Sequence, residues 1–515
     1  MNRVIVVFVL LCALALPFAA TAQVTSSGLK GWWSGDSTWI GGARPTANDD
    51  VVIAIGDTVI LDSLDAPGAL CKNLTVNGVL RFVRTGAKAT LTINGDLLVA
   101  TDTSEFRVQD RSPAGASNSF TEHVITLYGN FTSYGNIDFR RGSNGSGTAL
   151  GALLVLTGPA NTTIRMKSNA FNNNQVELNA VTIDKSGGAK VTCRTNVYQS
   201  NNSSVGTARL TLQNGFIETG DFRWVLFSSS SAVLAGGSDT SYVIGCLGRG
   251  LPTSSTGTRF YPIGDTKGYR PVSLVQGVTG STGSHMEVRC IEGDANTGTS
   301  TFAGSIDKVS TVRYFKATVD SLAYAMPIIR AIPSYGNDDG VAAGNTNLRI
   351  AYSRNDRALW TDMGPNINID TTDLTTVPQS IGSDTLTSDN TVATGGALYY
   401  ALARVTGTTE NSLESGPSSV EKIEGTLPAG YGLEANYPNP FNPTTSITFH
   451  VPSQSFVALK VYDIMGREVA TLVSQMMEPG TYVTGWNAQT ATSGVYFYTL
   501  EAGSFTQTRK MLLVK

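Results

Sequence analysis

The chain has 515 residues, of which 54 are Gly, 19 Pro, five Cys and three His; 15% are charged and the formal net charge is −3. At roughly 100–200 residues per domain this length corresponds to two to four domains, and a charged fraction well below the usual ~25% argues against an all-helical protein. A near-neutral balance with no basic block excludes nucleic acid as a partner, whose binding needs clustered Lys and Arg. So few His and Cys leave no room for a multinuclear metal centre on those ligands.

Residues 1–22, MNRVIVVFVLLCALALPFAATA, place Arg3 ahead of an apolar run from Val4 to Leu16, then Pro17 and the small residues Ala19 to Ala22. This is the charged, apolar and small-residue succession of a secretory signal peptide, with cleavage expected between Ala22 and Gln23. The apolar run is shorter than the ~20 residues that span a bilayer. No later segment is longer, so the mature chain is expected to lack a transmembrane segment. It keeps Cys71, Cys193, Cys246 and Cys290, either as two disulfides or as four buried thiols, and their spacing matches no zinc site.

From Gly28 to about Gly245, short Val/Ile/Leu/Thr runs end in Asn-Gly or similar pairs, as in NLTVNGVLRFV (73–83), TLTINGDLLV (90–99) and VITLYGNFTSYGNIDF (124–139). Alternation over four to six residues predicts strands with one buried face. Recurrence near twenty residues (17 from Gly78 to Gly95) predicts stacked rungs, a parallel β-helix over 23–245. Asn and Gly are expected at the corners for the left-handed conformations of sharp bends. An antiparallel sandwich with many hairpins is the competing reading, because Asn-Gly is also a hairpin signal. At its start, Trp32, Trp33 and Trp39 precede Pro45 and Asp49-Asp50. This segment resembles the opening of many bacterial β-helix surface proteins. Two roles fit the tryptophans: plugging the open end of the coil, or stacking against sugar rings as a binding platform.

Strand-like runs spaced by polar turns from Cys246 to Val405 predict an antiparallel β-sandwich. Within it, PIGDTKGYRPVSL (262–274) resembles a segment downstream of β-helices in surface proteins of the Bacteroidetes–Chlorobi group. Residues 406–430, rich in Thr, Ser, Gly and Glu and without aromatics, read as a flexible linker.

Residues 431–515 read as a small Ig-like β-sandwich, with Val457, Leu459 and Val461 alternating in one strand and Val495 to Tyr498 in another. The module resembles the type A sorting domain of the type IX secretion system. The resemblance rests on Tyr437-Pro438-Asn439-Pro440-Phe441-Asn442-Pro443, on Asp463 with Gly466-Arg467, and on Gly480 to Tyr482 with Trp486-Asn487. It rests also on Gly494-Val495-Tyr496 and on Lys510 to Lys515. Met465 stands where the family usually has Leu, a volume-conserving change. The resemblance implies passage through the periplasm to the cell surface or beyond. It implies partners in the type IX machinery and in a sortase-like surface protease, with processing near Gly430. It leaves the cargo's activity unnamed.

The search for chemistry in the cargo finds no G-x-S-x-G elbow and no HExxH. His123 and His285 read as structural residues at strand entrances, and His450 lies in the sorting module. Asp138 with Arg140 and Arg141 is the best carboxylate cluster for cleaving an acidic polysaccharide, and Glu218 and Asp221 beside Arg223 are a weaker one. Asp294 to Gly298 and Asn337 to Gly340 are calcium candidates, short of the six to eight oxygens that calcium takes. No other cofactor is expected. The reading is an all-β exported protein: a parallel β-helix, an antiparallel β-sandwich and a C-terminal Ig-like β-sandwich. Its cargo is expected to be a non-enzymatic binding, adhesive or structural protein with a polysaccharide or surface glycan as partner; the alternative is a polysaccharide-degrading lyase or glycoside hydrolase.

Overall fold

The computed structural model describes residues 23–515 except 29, 63–67, 84–87, 109–121, 140–141, 144–148, 168–175, 200–208, 228–233, 252–256, 277–284, 321–325, 342–346, 355, 365–366, 370–378, 383–390, 393–395, 410, 415–420, 424–426, 489–490 and 504. The expected signal peptide, residues 1–22, lies outside the described residues. Strands dominate, with only short 3-10 turns among the described residues. The chain divides into two compact units, 1–196 with 202–206, and 197–201 with 207–515. Parallel β-solenoid coils occupy residues 23–249.

In the first unit each coil supplies one strand to each of three parallel sheets. One coil contains Leu74–Val76, Val79–Phe82 and Thr90–Ile93, and the next contains Leu97–Val99, Glu105–Arg107 and His123–Leu127. Alternation along each strand sends every second side chain inward. Val51, Leu74, Leu97, Phe131, Ile164 and Cys193 are register partners on successive coils, and all are buried. Each large aliphatic or aromatic member of such a column contributes about 1.5–3 kcal/mol of transfer free energy.

Polar side chains close one corner in a continuous ladder. Asn73 Nδ2 donates to Asp50 Oδ1 (2.7 Å), and Asn73 Oδ1 accepts the Asp96 backbone N–H (2.7 Å). Asp96 Oδ1 accepts the N–H and Nδ2 of Asn130 (2.7 and 3.0 Å), and Asn130 Oδ1 accepts the N–H and hydroxyl of Thr163 (2.8 and 2.9 Å). Partners are 23, 23, 34 and 33 residues apart, which are the coil lengths.

Two expectations are corrected. The 17-residue spacing of Gly78 and Gly95 is not the coil period, because the two glycines sit at different corners. Nor does the backbone at Gly78 or Gly135 take a positive φ. These corners need glycine for space: a Cβ on Gly78 would overlap the Ala54 carbonyl oxygen of the neighbouring coil, and one on Gly135 that of Ser104.

In the second unit, Val197–Gln199, Trp224–Leu226 and Cys246–Gly250 continue parallel pairing. Cys246–Gly250 then offers its other edge to His285–Glu292 in antiparallel register. Antiparallel pairing continues through Arg313–Asp320, Ala397–Val405 and Leu348–Ser353. A second antiparallel sheet joins Gly257–Tyr261, Val272–Gln276, Met326–Tyr335, Gln379–Gly382 and Ile367–Ile369. Toward the C-terminus two four-stranded sheets share one core containing Ile447, Phe449, Leu459, Trp486 and Tyr498. Part of the expected linker is ordered against one of them. Glu421–Ile423 pairs with Gly480–Asn487, since an edge strand needs only backbone partners and no apolar side chains.

His123 shows how burial in the coil opposes charge on an inward side chain. Its ring stacks on Phe82 (centroids 4.5 Å apart), its Nδ1 accepts the Ala89 N–H (3.2 Å), and burial pushes its pKa down to about 4. The unfolded chain takes up this proton near pH 6.5 and the folded chain only near 4. Stability from neutral His123 is therefore complete above the unfolded value and declines as pH falls below it, by about 3 kcal/mol at pH 4. Denaturant unfolding between pH 4 and 7 should show this slope, and His123→Phe should flatten it.

Candidate functional site

The outer face of one solenoid sheet in the first unit carries a row of aromatic and charged side chains. Trp32, Ile60, Arg81, Arg107 and Asp138 are register partners on successive coils, so they form a row along the coil axis with about 4.8 Å per step. Their neighbours toward the chain start are Lys30, Thr58, Val79, Glu105 and Asn136. Arg107 Nε lies 3.0 Å from Glu105 Oε2. Ile60 is buried, whereas Arg81, Arg107, Asp138 and Glu105 are partly exposed. Arg140 and Arg141 lie outside the described residues.

Of the three early tryptophans, Trp33 and Trp39 are buried edge-to-face with centroids 5.1 Å apart, and Trp39 Nε1 donates to the Trp33 carbonyl (2.9 Å). Neither offers a ring face to a ligand. Trp32 is 48% exposed and stands at the end of the row just described.

The second unit buries two charged networks. In the first, Glu287 Oε1 meets His285 Nε2 (2.9 Å) and the Arg223 guanidinium, and Glu287 Oε2 lies 3.9 Å from Cys246 Sγ. Burial acts to raise the Glu287 carboxyl, but its bonds to His285 and Arg223 outweigh this and hold it below the usual range. The Cys246 thiol is pushed up to about 12 by burial and by Glu287, so it is not a nucleophile. Cys71, Cys193 and Cys290 are likewise buried free thiols, which resolves the open disulfide question. Arg223, which follows Glu218 and Asp221 in sequence, thus also bonds a residue far along the chain.

The second network explains PIGDTKGYRPVSL. Arg313 Nε reaches Asp265 Oδ2 (3.2 Å) and Asp339 Oδ1 (3.3 Å), Arg270 Nε lies 3.6 Å from Asp339 Oδ2, and both guanidinium groups bond Asp338. Three carboxyl groups face two guanidinium groups. Burial pushes Asp265 up to about 6 and raises Asp339, which has Asp338 beside it, well above the carboxylate range. In the Asn337 to Gly340 calcium candidate, guanidinium groups therefore engage the Asp338 and Asp339 carboxyl groups. At the other candidate, Asp294 Oδ1 accepts the Asn296 N–H (2.7 Å) and Asn296 Oδ1 the Gly298 N–H (2.9 Å), the bonding of polar turns.

The sorting-motif residues form two constructions. At one, Asn439 grips the last strand, Phe505–Leu513: its Nδ2 approaches the Lys510 carbonyl (3.5 Å) and its Oδ1 accepts the Leu512 N–H (3.0 Å). The neighbouring backbone helps, because Phe441 donates to Leu512 and accepts from Val514 (both 3.0 Å). The peptides preceding Pro438 and Pro440 are cis, and the Pro438 carbonyl accepts the Thr445 hydroxyl (2.8 Å). At the other, Asp463 and Arg467 close a tight turn through Gly466 (φ 75°), near Gly494 and Tyr496; the Tyr496 hydroxyl donates to Thr492 O (2.8 Å). The Lys515 N–H donates to Ser493 Oγ (3.0 Å).

Solenoid coils are thus followed in the chain by a compact C-terminal module that carries these two constructions. Residues 435–515 match the family described as the secretion system C-terminal sorting domain, and the chain carries this type IX module. It is therefore exported to the cell surface or secreted. Among the described residues no helix is long and apolar enough to cross a membrane. The searches of curated proteins and of solved structures return no match.

Arg313→Leu leaves the buried Asp265 and Asp339 and the partly exposed Asp338 facing one guanidinium, and should lower stability by about 3–5 kcal/mol in thermal or denaturant unfolding.

Proposed function

We propose that the exported cargo is a non-catalytic, adhesive binding protein whose solenoid face holds an acidic polysaccharide or surface glycan. The observation that carries this reading is the row of Trp32, Arg81, Arg107 and Asp138 along the coil axis. An indole supplies a stacking face for a sugar ring, guanidinium groups pair with uronate or sulfate, and a row parallel to the axis suits a linear chain. In this reading residues 1–22 are removed as signal peptide and 23–245 form the binding solenoid. Residues 246–405 form a sandwich that acts as spacer, and 406–430 connect to an Ig-like domain at 431–515. A sortase-like protease removes that domain near Gly430, an exposed position.

One arrangement favours a second reading, polysaccharide cleavage. Glu105 and Asp138 flank Arg107 on adjacent coils, and paired carboxyl groups beside a cation suit both hydrolysis and elimination at a uronate.

The test incubates the mature protein with neutral, uronate-bearing and sulfated polysaccharides and follows both retention and new chain ends. Retention of the acidic polymers, weakened by salt and reduced about tenfold in Arg81→Ala/Arg107→Ala, is expected without new ends. No retention of any acidic polymer would refute the binding reading. New ends that vanish in Asp138→Asn would establish the second.

A further inference from the structure

We propose that the groove beside the Asp463–Arg467 turn is the surface by which the type IX machinery grips this chain. Its occupant is a cluster of apolar side chains on a protein wall of that machinery, bordered by a carboxylate. This rests on the sorting assignment of 435–515, and identifies which part of that domain makes the contact.

A sorting domain has to be touched somewhere on its surface, and its core is closed by two sheets. Ile464 (71% exposed), Met465 (76%) and Val469 (44%) nevertheless stand in water, and all three line one groove of about 610 Å³ floored by Trp486 and Tyr496. Single exposed apolar side chains are ordinary, but several on one concavity mark an interaction site. Val495, also on the groove, is paired in register with the exposed Leu512, which extends the patch onto the last strand.

The turn that carries Ile464 and Met465 is built to be rigid. Asp463 Oδ1 accepts the N–H groups of Met465 (2.8 Å) and Arg467 (3.0 Å), and Asp463 Oδ2 accepts Arg467 Nε (2.8 Å) with Nη2 at 2.7 Å. Backbone bonds from Gly466 N–H to Asp463 O and from Asp463 N–H to Arg467 O complete it (both 3.0 Å). Gly466 takes a left-handed φ of 75°, strained for residues with a Cβ. Asp463, Gly466 and Arg467 are thus committed to shaping the turn, and the two residues between, held out in a fixed pose, are the ones left to touch a partner. A preformed loop lowers the ordering cost of binding. Arg467 adds the charge: although held by Asp463, its side chain is 79% exposed at the rim, which fits a partner carboxylate.

The test expresses the full-length chain in a host with a working type IX system and measures surface labelling against periplasmic accumulation. Protease resistance of the periplasmic fraction reports folding. Ile464→Asp/Met465→Asp should stay folded and lower surface display about tenfold or more, as expected for a lost hot spot. Phe456→Asp, a change at an exposed residue that does not line the groove, should display normally. If the double variant is protease-sensitive, Val469→Asp decides by the same readout. Normal display of the folded groove variants, with a chain lacking 431–515 held in the periplasm, would overturn the groove and leave the sorting assignment standing. Display of the chain lacking 431–515 would overturn both.

Discussion

The solenoid depends on one constraint: each coil must hand its backbone hydrogen bonds to the next in register, including at the corners where the chain turns. Strand interiors do this by parallel pairing, but a corner leaves N–H groups aimed away from any strand. The ladder from Asp50 through Asn73, Asp96 and Asn130 to Thr163 supplies the missing acceptors: Asp50 holds the Asn73 side chain, and the Asn73, Asp96 and Asn130 side chains each accept a backbone N–H of the following coil. Glycines at other corners let the neighbouring backbone approach where a Cβ would collide. Once the corners are set, inward columns such as Leu74, Leu97 and Phe131 follow, and outward residues line up in rows whether or not they neighbour one another in sequence.

The strand Cys246–Gly250 changes the rule. It pairs in parallel on one side and antiparallel on the other, so a growing coil becomes a sheet that folds back on itself. All five of its residues are buried, including Arg249, whose guanidinium donates to the Phe260 carbonyl (2.9 Å). Nearby segments far apart in sequence are joined by charge. Asp265 and Arg270, Arg313, and Asp338 with Asp339 meet in one buried network, where losing a partner costs more than the pairing gains. Such a network specifies which loops meet, a task that an apolar core performs less selectively.

Much of this was legible in the residues. In NLTVNGVLRFV the alternation correctly sends Leu74, Val76, Leu80 and Phe82 inward and leaves Arg81 outward. The family of the export module was legible, because its motifs are short and local: a turn needing Asp463, Gly466 and Arg467 is written in five residues. Register was not legible. Coil lengths shift from 23 to 34 residues with the loops, so nothing in the sequence aligns Arg81, Arg107 and Asp138. Asp138 drew attention through the adjacent Arg140 and Arg141, whereas the fold pairs it in register with Arg107 of the preceding coil. The buried networks were hidden for the same reason, since Arg223 and Glu287 share no local pattern.

The most direct test of the account is therefore a test of register. In a chain carrying Arg107→Cys and Asp138→Cys, the two Cα atoms should lie about 4.8 Å apart, within the 4.4–6.8 Å a disulfide spans. Mild oxidation followed by peptide mass mapping should recover an intrachain 107–138 crosslink in high yield. The offset pair Arg107→Cys with Asn136→Cys should give far less. Equal yields, or no 107–138 crosslink in the folded protein, would contradict the coil register and with it the binding row.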